Sequence, residues 1–430
     1  MAAQNNTSMP SQSNLHSYAD HDSRITKENL HMVLALWMER FPLGSYEVNL
    51  DVSFKKVGAV LVLPSDMIYA VDCSRNGVHG VARLLMAHPD VLQDCKVFVS
   101  RKPCSLCTKL LVQSKIKRVF YLPIEPEYID RKDREAEMQR VDSLFKVSPI
   151  GQTVFVPRAG REVLANTAKK YPDTPQTIRD EIKGQLMNTY WNDKWMGEAG
   201  ENLPWPAFDE NMEKQVKDDF NGMMEWMATI LVGSEKGYKF KAHSKISSQD
   251  KDLPFNPEES DDDGLQASHL ITLAKFLAER TDDPRKGVGA VIMNEEREIV
   301  ALGWNGFPTK ALYGEFPRAS DKDKDVQQKK YPYIIHAEQN ALLMRNTKKI
   351  KGATLFVTKT PCNDCTLLIE MLGITTFVLG EKMQKGNKED ASGEINYTKF
   401  PEKVDNNVFI CFEMESGSIP ATKKRDLSNI

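Results

Sequence analysis

Two runs of apolar positions along this chain read alike. Leu30-His31-Met32-Val33-Leu34-Ala35 and His269-Leu270-Ile271-Thr272-Leu273-Ala274 each predict the opening of an amphipathic helix. A short apolar strand follows in both copies, Val57-Gly58-Ala59-Val60 and Val288-Gly289-Ala290-Val291. Asn76-Gly77 echoes Asn305-Gly306, and Pro103-Cys104-Ser105-Leu106-Cys107 repeats the proline and both cysteines of Pro361-Cys362-Asn363-Asp364-Cys365. After each cysteine pair comes a helix and another apolar strand, Arg118-Val119-Phe120-Tyr121 and Thr375-Thr376-Phe377-Val378. Each copy thus predicts helix, strand, strand, helix, strand, helix, strand, an α/β pattern with helices covering a mixed sheet.

The copies differ at two places. Where the second has Glu338 the first has Val81, and the long stretch between Gly306 and Ile334 shrinks to almost nothing between Gly77 and His79. Between the copies, Asp130 to Phe145, Thr177 to Met187 and Glu210 to Leu231 read as charged amphipathic helices. The aromatic cluster Tyr190, Trp191, Trp195, Trp205 and Phe208 reads as core rather than interface. Polar residues then lead into Glu258-Glu259-Ser260-Asp261-Asp262-Asp263, which predicts a solvated linker. The expected organisation is a disordered N-terminus (1–24), a degenerate copy (25–123), a helical intervening region (124–232), a polar and acidic linker (233–264), a complete copy (265–415) and a disordered tail (416–430).

The 430 residues have room for two or three cores, and 41% hydrophobic with 27% charged residues is ordinary for a globular chain. A net charge of -3 gives no overall basic field to draw in a polynucleotide. No apolar run is long enough for a membrane helix, and the polar first residues predict no secretory signal. Seven cysteines, four of them in two Cys-x-x-Cys pairs, form no even disulfide framework and point to a reducing compartment. The expectation is a cytoplasmic or nuclear protein. Lys423-Lys424-Arg425 reads as a solvated tail before it reads as a nuclear address.

The chemistry gathers at two triplets. His336 precedes Cys362 by 26 positions, and His79 precedes Cys104 by 25. One imidazole and two thiolates suit a tetrahedral zinc that keeps its fourth position for water. In the second copy His336, Cys362 and Cys365 are the expected ligands, and Glu338 is placed to move protons rather than bind metal. Pro361 pre-sets the turn into a helix whose N-terminal amides favour thiolate charge. In the first copy His79, Cys104 and Cys107 hold a structural zinc or persist as buried core residues. Without a proton carrier that copy is expected to be inactive, packing on the second to set an assembly or to bind a nucleotide effector.

A His-x-Glu followed by Pro-Cys-x-x-Cys is the signature of zinc-dependent nucleobase deaminases. The stretch from Asp282 to Gly380 resembles deoxycytidylate deaminase, within the cytidine deaminase family. The likeness is carried by Asp283-Pro284-Arg285-Lys286-Gly287-Val288-Gly289-Ala290, Gly303-Trp304-Asn305-Gly306-Phe307-Pro308, Lys330-Tyr331-Pro332-Tyr333, His336-Ala337-Glu338-Gln339-Asn340-Ala341 and the Cys362–Cys365 turn. The resemblance implies two three-layer α/β/α domains with mixed central sheets, the first degenerate, a catalytic zinc, and an oligomer, often a hexamer. It implies that Asn305 and Gly306 meet the sugar or phosphate and that Ala337 and Asn340 line the nucleotide pocket. The family takes the monophosphate as substrate and the triphosphate as effector.

Arg285, Lys286, Lys310, Arg318 and Lys359 lie near these motifs, generous for one phosphate, although Asp321, Asp323 and Asp325 temper the excess. Arg285, Lys286 and Lys359 are therefore candidate substrate contacts, and the expectation leans to deoxycytidine triphosphate over the monophosphate. Two rivals stand beside it: a deaminase of single-stranded DNA or RNA, which the neutral-to-acidic charge opposes, and a zinc-stabilised interaction protein, which would have no use for Glu338. Action on the free nucleoside is a weaker third.

Overall fold

The computed structural model describes residues 24–43, 55–122, 134–172, 175–192, 210–232, 239–243, 253–283, 286–308, 316–318, 325–386 and 396–415. Of the ends expected to be disordered (1–24 and 416–430), all but Arg24 lie outside these residues, as do Arg285, Lys310, Trp195, Trp205, Phe208, Asp321 and Asp323.

The first unit runs α1 (Lys27–Met38), β1 (Gly58–Val62), β2 (Ile68–Cys73), α2 (Gly80–Ala87), β3 (Lys96–Val99), α3 (Ser105–Gln113), β4 (Arg118–Tyr121), α4 (Arg134–Lys146) and β5 (Gly151–Val154). Thr26 starts α1 by accepting a hydrogen bond from the Asn29 amide. The strands stand in the order β2-β1-β3-β4-β5. β1 is antiparallel to β2 and β3, whereas β3, β4 and β5 are parallel, so the sheet is mixed. Next come α5 (Arg161–Lys170), α6 (Gln176–Met187), α7 (Glu210–Val232) and the short strand β6 (Phe240–Ala242).

The second unit repeats the plan with α8 (Asp261–Ala278), β7 (Gly289–Met293), β8 (Ile299–Trp304), α9 (Ala337–Leu343), β9 (Thr354–Val357), α10 (Asn363–Met371), β10 (Thr376–Leu379), α11 (Lys399–Asp405) and β11 (Ile410–Met414). Its sheet has the order β6-β11-β10-β9-β7-β8, the first unit's order with β6 added antiparallel on the outside. The repeated Val-Gly-Ala-Val has a steric cause. A Cβ on Gly58 would lie 2.0 Å from the Ala35 carbonyl oxygen, and one on Gly289 would lie 1.8 Å from that of Ala274. Only glycine lets helix and strand backbones approach so closely.

Each unit therefore carries one strand more than its predicted copy; the helix expected over Asp130 to Phe145 forms as α4 and packs into the first unit, and α11 is an added helix in the second. The first unit's sheet continues past residue 123 through β5, whose Gly-Gln-Thr-Val sequence is half exposed and alternates weakly. The stretch 233–264, expected to be a linker, contributes β6 and the start of α8. Asp261, Asp262 and Asp263 form the first turn of α8 behind the Ser260 cap, where acids complement the helix dipole. Asp263 is also tied to Arg297 at 2.6 Å.

A single buried cluster runs through both units. The Trp37 indole donates to the His269 carbonyl at 3.0 Å, stacks on the His269 ring at 4.6 Å and meets Phe276 edge-on at 5.5 Å. Helix α7 fills the space beside this seam with Phe220, Met223, Met224, Trp226 and Met227, all fully buried, and Trp226 stacks on Phe276. Tyr190 belongs to the core as expected, its hydroxyl donating to the Leu36 carbonyl at 2.8 Å. α1 packs on α8 and β2 lies against β8, so equivalent elements meet each other, as across an approximate two-fold axis. Arg75 and Asn346 stitch the same seam by donating to the carbonyls of Arg297 and Tyr69. No described helix is long and apolar enough to cross a membrane.

Candidate metal centre and active site

His336 caps the N-terminus of α9, Cys362 caps that of α10, and Cys365 lies in the first turn of α10. The two helix starts converge at one end of the sheet. His336 Nδ1 is 3.3 Å from Cys362 Sγ and 3.2 Å from Cys365 Sγ. A zinc ion with ordinary bond lengths to nitrogen and sulfur holds tetrahedral ligands about 3.5 Å apart, so the trio fits that ion. The Cys365 thiol donates to Cys362 and, against burial and with help from His336, brings Cys362 down to about 4. The His336 amide is held by Gln339 Oε1 at 3.0 Å, and Thr366 donates to the Cys362 carbonyl at 2.7 Å, fixing both ligand backbones.

Glu338, in the first turn of α9, is 4% exposed. Burial lifts its carboxyl to about 7. The Tyr331 ring meets His336 edge-on at 5.6 Å, and burial raises its phenol. Sequence reasoning placed Tyr331 in a motif without giving it a position at the metal-ligand histidine.

The first unit builds the same cluster. His79 Nδ1 lies 3.2 Å from Cys104 Sγ and 3.5 Å from Cys107 Sγ, and a hydrogen bond from Cys107 brings Cys104 down to about 5. These two clusters are the ones among the described residues with metal-ligand geometry. Val81, 1% exposed, occupies the place of Glu338. One equivalence needs correcting. Asn305 corresponds in space to Ser74 rather than to Asn76: Asn305 Oδ1 accepts from the Val288 amide at 2.7 Å, and Ser74 Oγ accepts from the Val57 amide at 2.9 Å. Asn76 and Gly77 instead form a left-handed turn between Arg75 and Val78.

Among the described residues, several of the candidate substrate contacts are already engaged within the chain. The Asn305 amide also donates to the Lys286 carbonyl at 3.0 Å, holding the loop before β7. Asn340 donates to the Trp304 carbonyl at 2.6 Å. Gly306 pairs with Ile335 through backbone bonds, and a Cβ there would lie 2.3 Å from Asp282 Oδ1. Ala337 is buried at the start of α9. Lys286 is 3.5 Å from Glu381. Burial first, and the adjacent Lys286 second, lower Lys359 to about 8. Arg318 lies over the Phe307 ring, which stacks on Phe316. Sequence reasoning missed the Lys330–Asp283 ion pair, both side chains nearly buried. A lysine directly ahead of an apolar and aromatic run was the available signal.

Two α/β/α units with His/Cys/Cys clusters, one of them with a buried carboxylate beside it, define a hydrolytic zinc centre and a second copy of its scaffold with valine in the carboxylate's place. Residues 265–381 match the cytidine and deoxycytidylate deaminase zinc-binding region. The cytidine and dCMP deaminase domain-containing protein 1 of Danio rerio is 26% identical, over 88% of this chain and 87% of its own. Human deoxycytidylate deaminase is 39% identical over 26% of this chain and 64% of its own length. The Mus musculus deoxycytidylate deaminase is 34% identical over 31% of this chain and 75% of its own. The chain belongs to the zinc-binding cytidine and deoxycytidylate deaminase family.

Proposed function

We propose that the second unit hydrolytically deaminates cytosine in free deoxycytidine nucleotides, the triphosphate in preference to the monophosphate. The first unit is inactive in this reading and serves assembly or regulation, within a homo-oligomer. The observation that carries the reading is Glu338, a buried carboxylate two residues from His336 and beside the donor trio. His336, Cys362 and Cys365 would hold a zinc ion, which when bound would activate a water for attack at neutral pH. Glu338 takes one proton from the attacking water and delivers it to ring N3, then takes the proton left on the added oxygen and passes it to the exocyclic amine, so that the C–N bond breaks, the carbonyl forms and ammonia leaves. Asn305 and Lys330 fix the loop that walls the pocket, one through backbone groups and the other through Asp283. In the first unit Val81 has no proton to move.

The test is ammonia release and product chromatography across deoxycytidine, cytidine and their mono-, di- and triphosphates. Glu338→Gln is expected to lower turnover about 10²- to 10⁴-fold while zinc content stays at the wild-type value. A Glu338→Gln protein that deaminates normally overturns the reading. Deamination of oligonucleotides with none of free nucleotides favours the polynucleotide rival instead.

A further inference from the structure

Near the donor trio, the second unit gathers several lysines around one carboxylate. Lys359 follows β9 and stands three residues ahead of Cys362. Lys286, whose side chain interacts with that of Lys359, sits on the loop held by Asn305 with its ammonium 3.5 Å from Glu381. Lys275, half-buried on α8, is within electrostatic reach of the same Glu381. Lys330 is paired with Asp283. Glu381 thus acts on Lys275, Lys286 and Lys359 together. Burial lowers Lys275 to about 8, matching the depression of Lys359. Like charges crowded into a partly desolvated place are unfavourable until an anion joins them.

The first unit displays a neutralised version of this corner. Ser100 Oγ accepts from the Gly58 amide just as Thr358 Oγ1 accepts from that of Gly289, so Arg101 holds the place of Lys359. Arg101 is met by Glu39 at 3.6 Å, their side chains 5% and 4% exposed. Glu39 ends α1 at the position Ala278 fills on α8. The second unit keeps the base and lacks that acid.

We propose that Lys275, Lys286 and Lys359 form a polyphosphate subsite beside Glu338, and that Glu381 shares their charge when no polyphosphate is bound. The ligand is the β- and γ-phosphates of the substrate itself; the proposal rests on the nucleotide-deaminase reading above. It is tested with the full zinc-loaded chain by measuring kcat/KM for deoxycytidine triphosphate and monophosphate in wild type, Lys286→Gln, Lys359→Gln and Glu381→Gln. Each lysine variant is expected to lower the triphosphate-to-monophosphate ratio about tenfold or more, mainly through KM, and Glu381→Gln to raise it. Inorganic tripolyphosphate should compete with the triphosphate substrate. An unchanged ratio in both lysine variants, or tripolyphosphate that accelerates turnover rather than competing (a separate effector site), overturns the subsite. Should wild type turn over no cytosine nucleotide, the functional reading fails instead. Tripolyphosphate binding by calorimetry then judges the subsite alone, with binding lost in Lys359→Gln supporting it and binding retained there overturning it.

Discussion

His79, Cys104 and Cys107 keep nearly the same spacing as His336, Cys362 and Cys365, yet the residue two places after the histidine is Val81 in one unit and Glu338 in the other. The donor cage and the proton carrier are therefore separable. A cage can hold two helix starts together whether or not a carboxylate stands beside it. The basic corners diverge in the opposite sense. Arg101 is neutralised by a buried Glu39, whereas Lys359 shares Glu381 with two other lysines. One unit pairs its buried base with a buried acid, and the other sets several lysines around one carboxylate.

The sharpest way to break this contrast is to damage each cage in turn. Cys362→Ser is expected to remove measurable turnover. Cys104→Ser should lower zinc content and melting temperature, with turnover falling only in step with the folded fraction; equal loss of specific activity in both would refute the division of labour. Next in size is the seam. Trp37→Ala removes a buried indole shared by both units and is expected to destabilise by about 3–5 kcal/mol, moving one calorimetric transition as a whole. Two separate transitions in the wild type would show that the common core does not couple the units.

The smallest effect is on pH dependence. Burial lowers both His31 and His269 to about 3 from 6.5. The folded state then binds fewer protons than the unfolded chain between those values, so this stability is complete above pH 6.5 and is lost as pH falls towards 3. At pH 5 the loss is about 2 kcal/mol for each ring. His269→Phe, placed between Trp37 and Phe41, should remove about half of that slope in denaturant titrations. An unaltered slope would mean that His269 is not held neutral.

Much of this could be read from the residues because it is local. Helix period marks α1 and α8, a run of apolar residues marks β1 and β7, and Cys-x-x-Cys spacing places two thiols on one helix start. What escaped was short or distant. β6 is three residues long, and β5 is half exposed, so neither carries a hydrophobic signature. The Ser74–Asn305 equivalence was hidden because matching letters drew Asn76-Gly77 into register, while the hydrogen bond to the strand amide is made by a hydroxyl in one copy and an amide in the other. The apolar face of α7 was visible, but nothing in it names Phe276 as the neighbour of Trp226.

Strand β6 has a practical consequence. It lies ahead of the zinc-ligand motifs in sequence but closes the outer side of β11. A fragment cut at residue 265 to isolate the deaminating half would shed that covering strand together with the Asp263 anchor for Arg297. Its bare rim of amides and carbonyls would be open to pairing with other molecules, so such a piece should precipitate or self-associate, and a preparation keeping residues 239–243 should behave better.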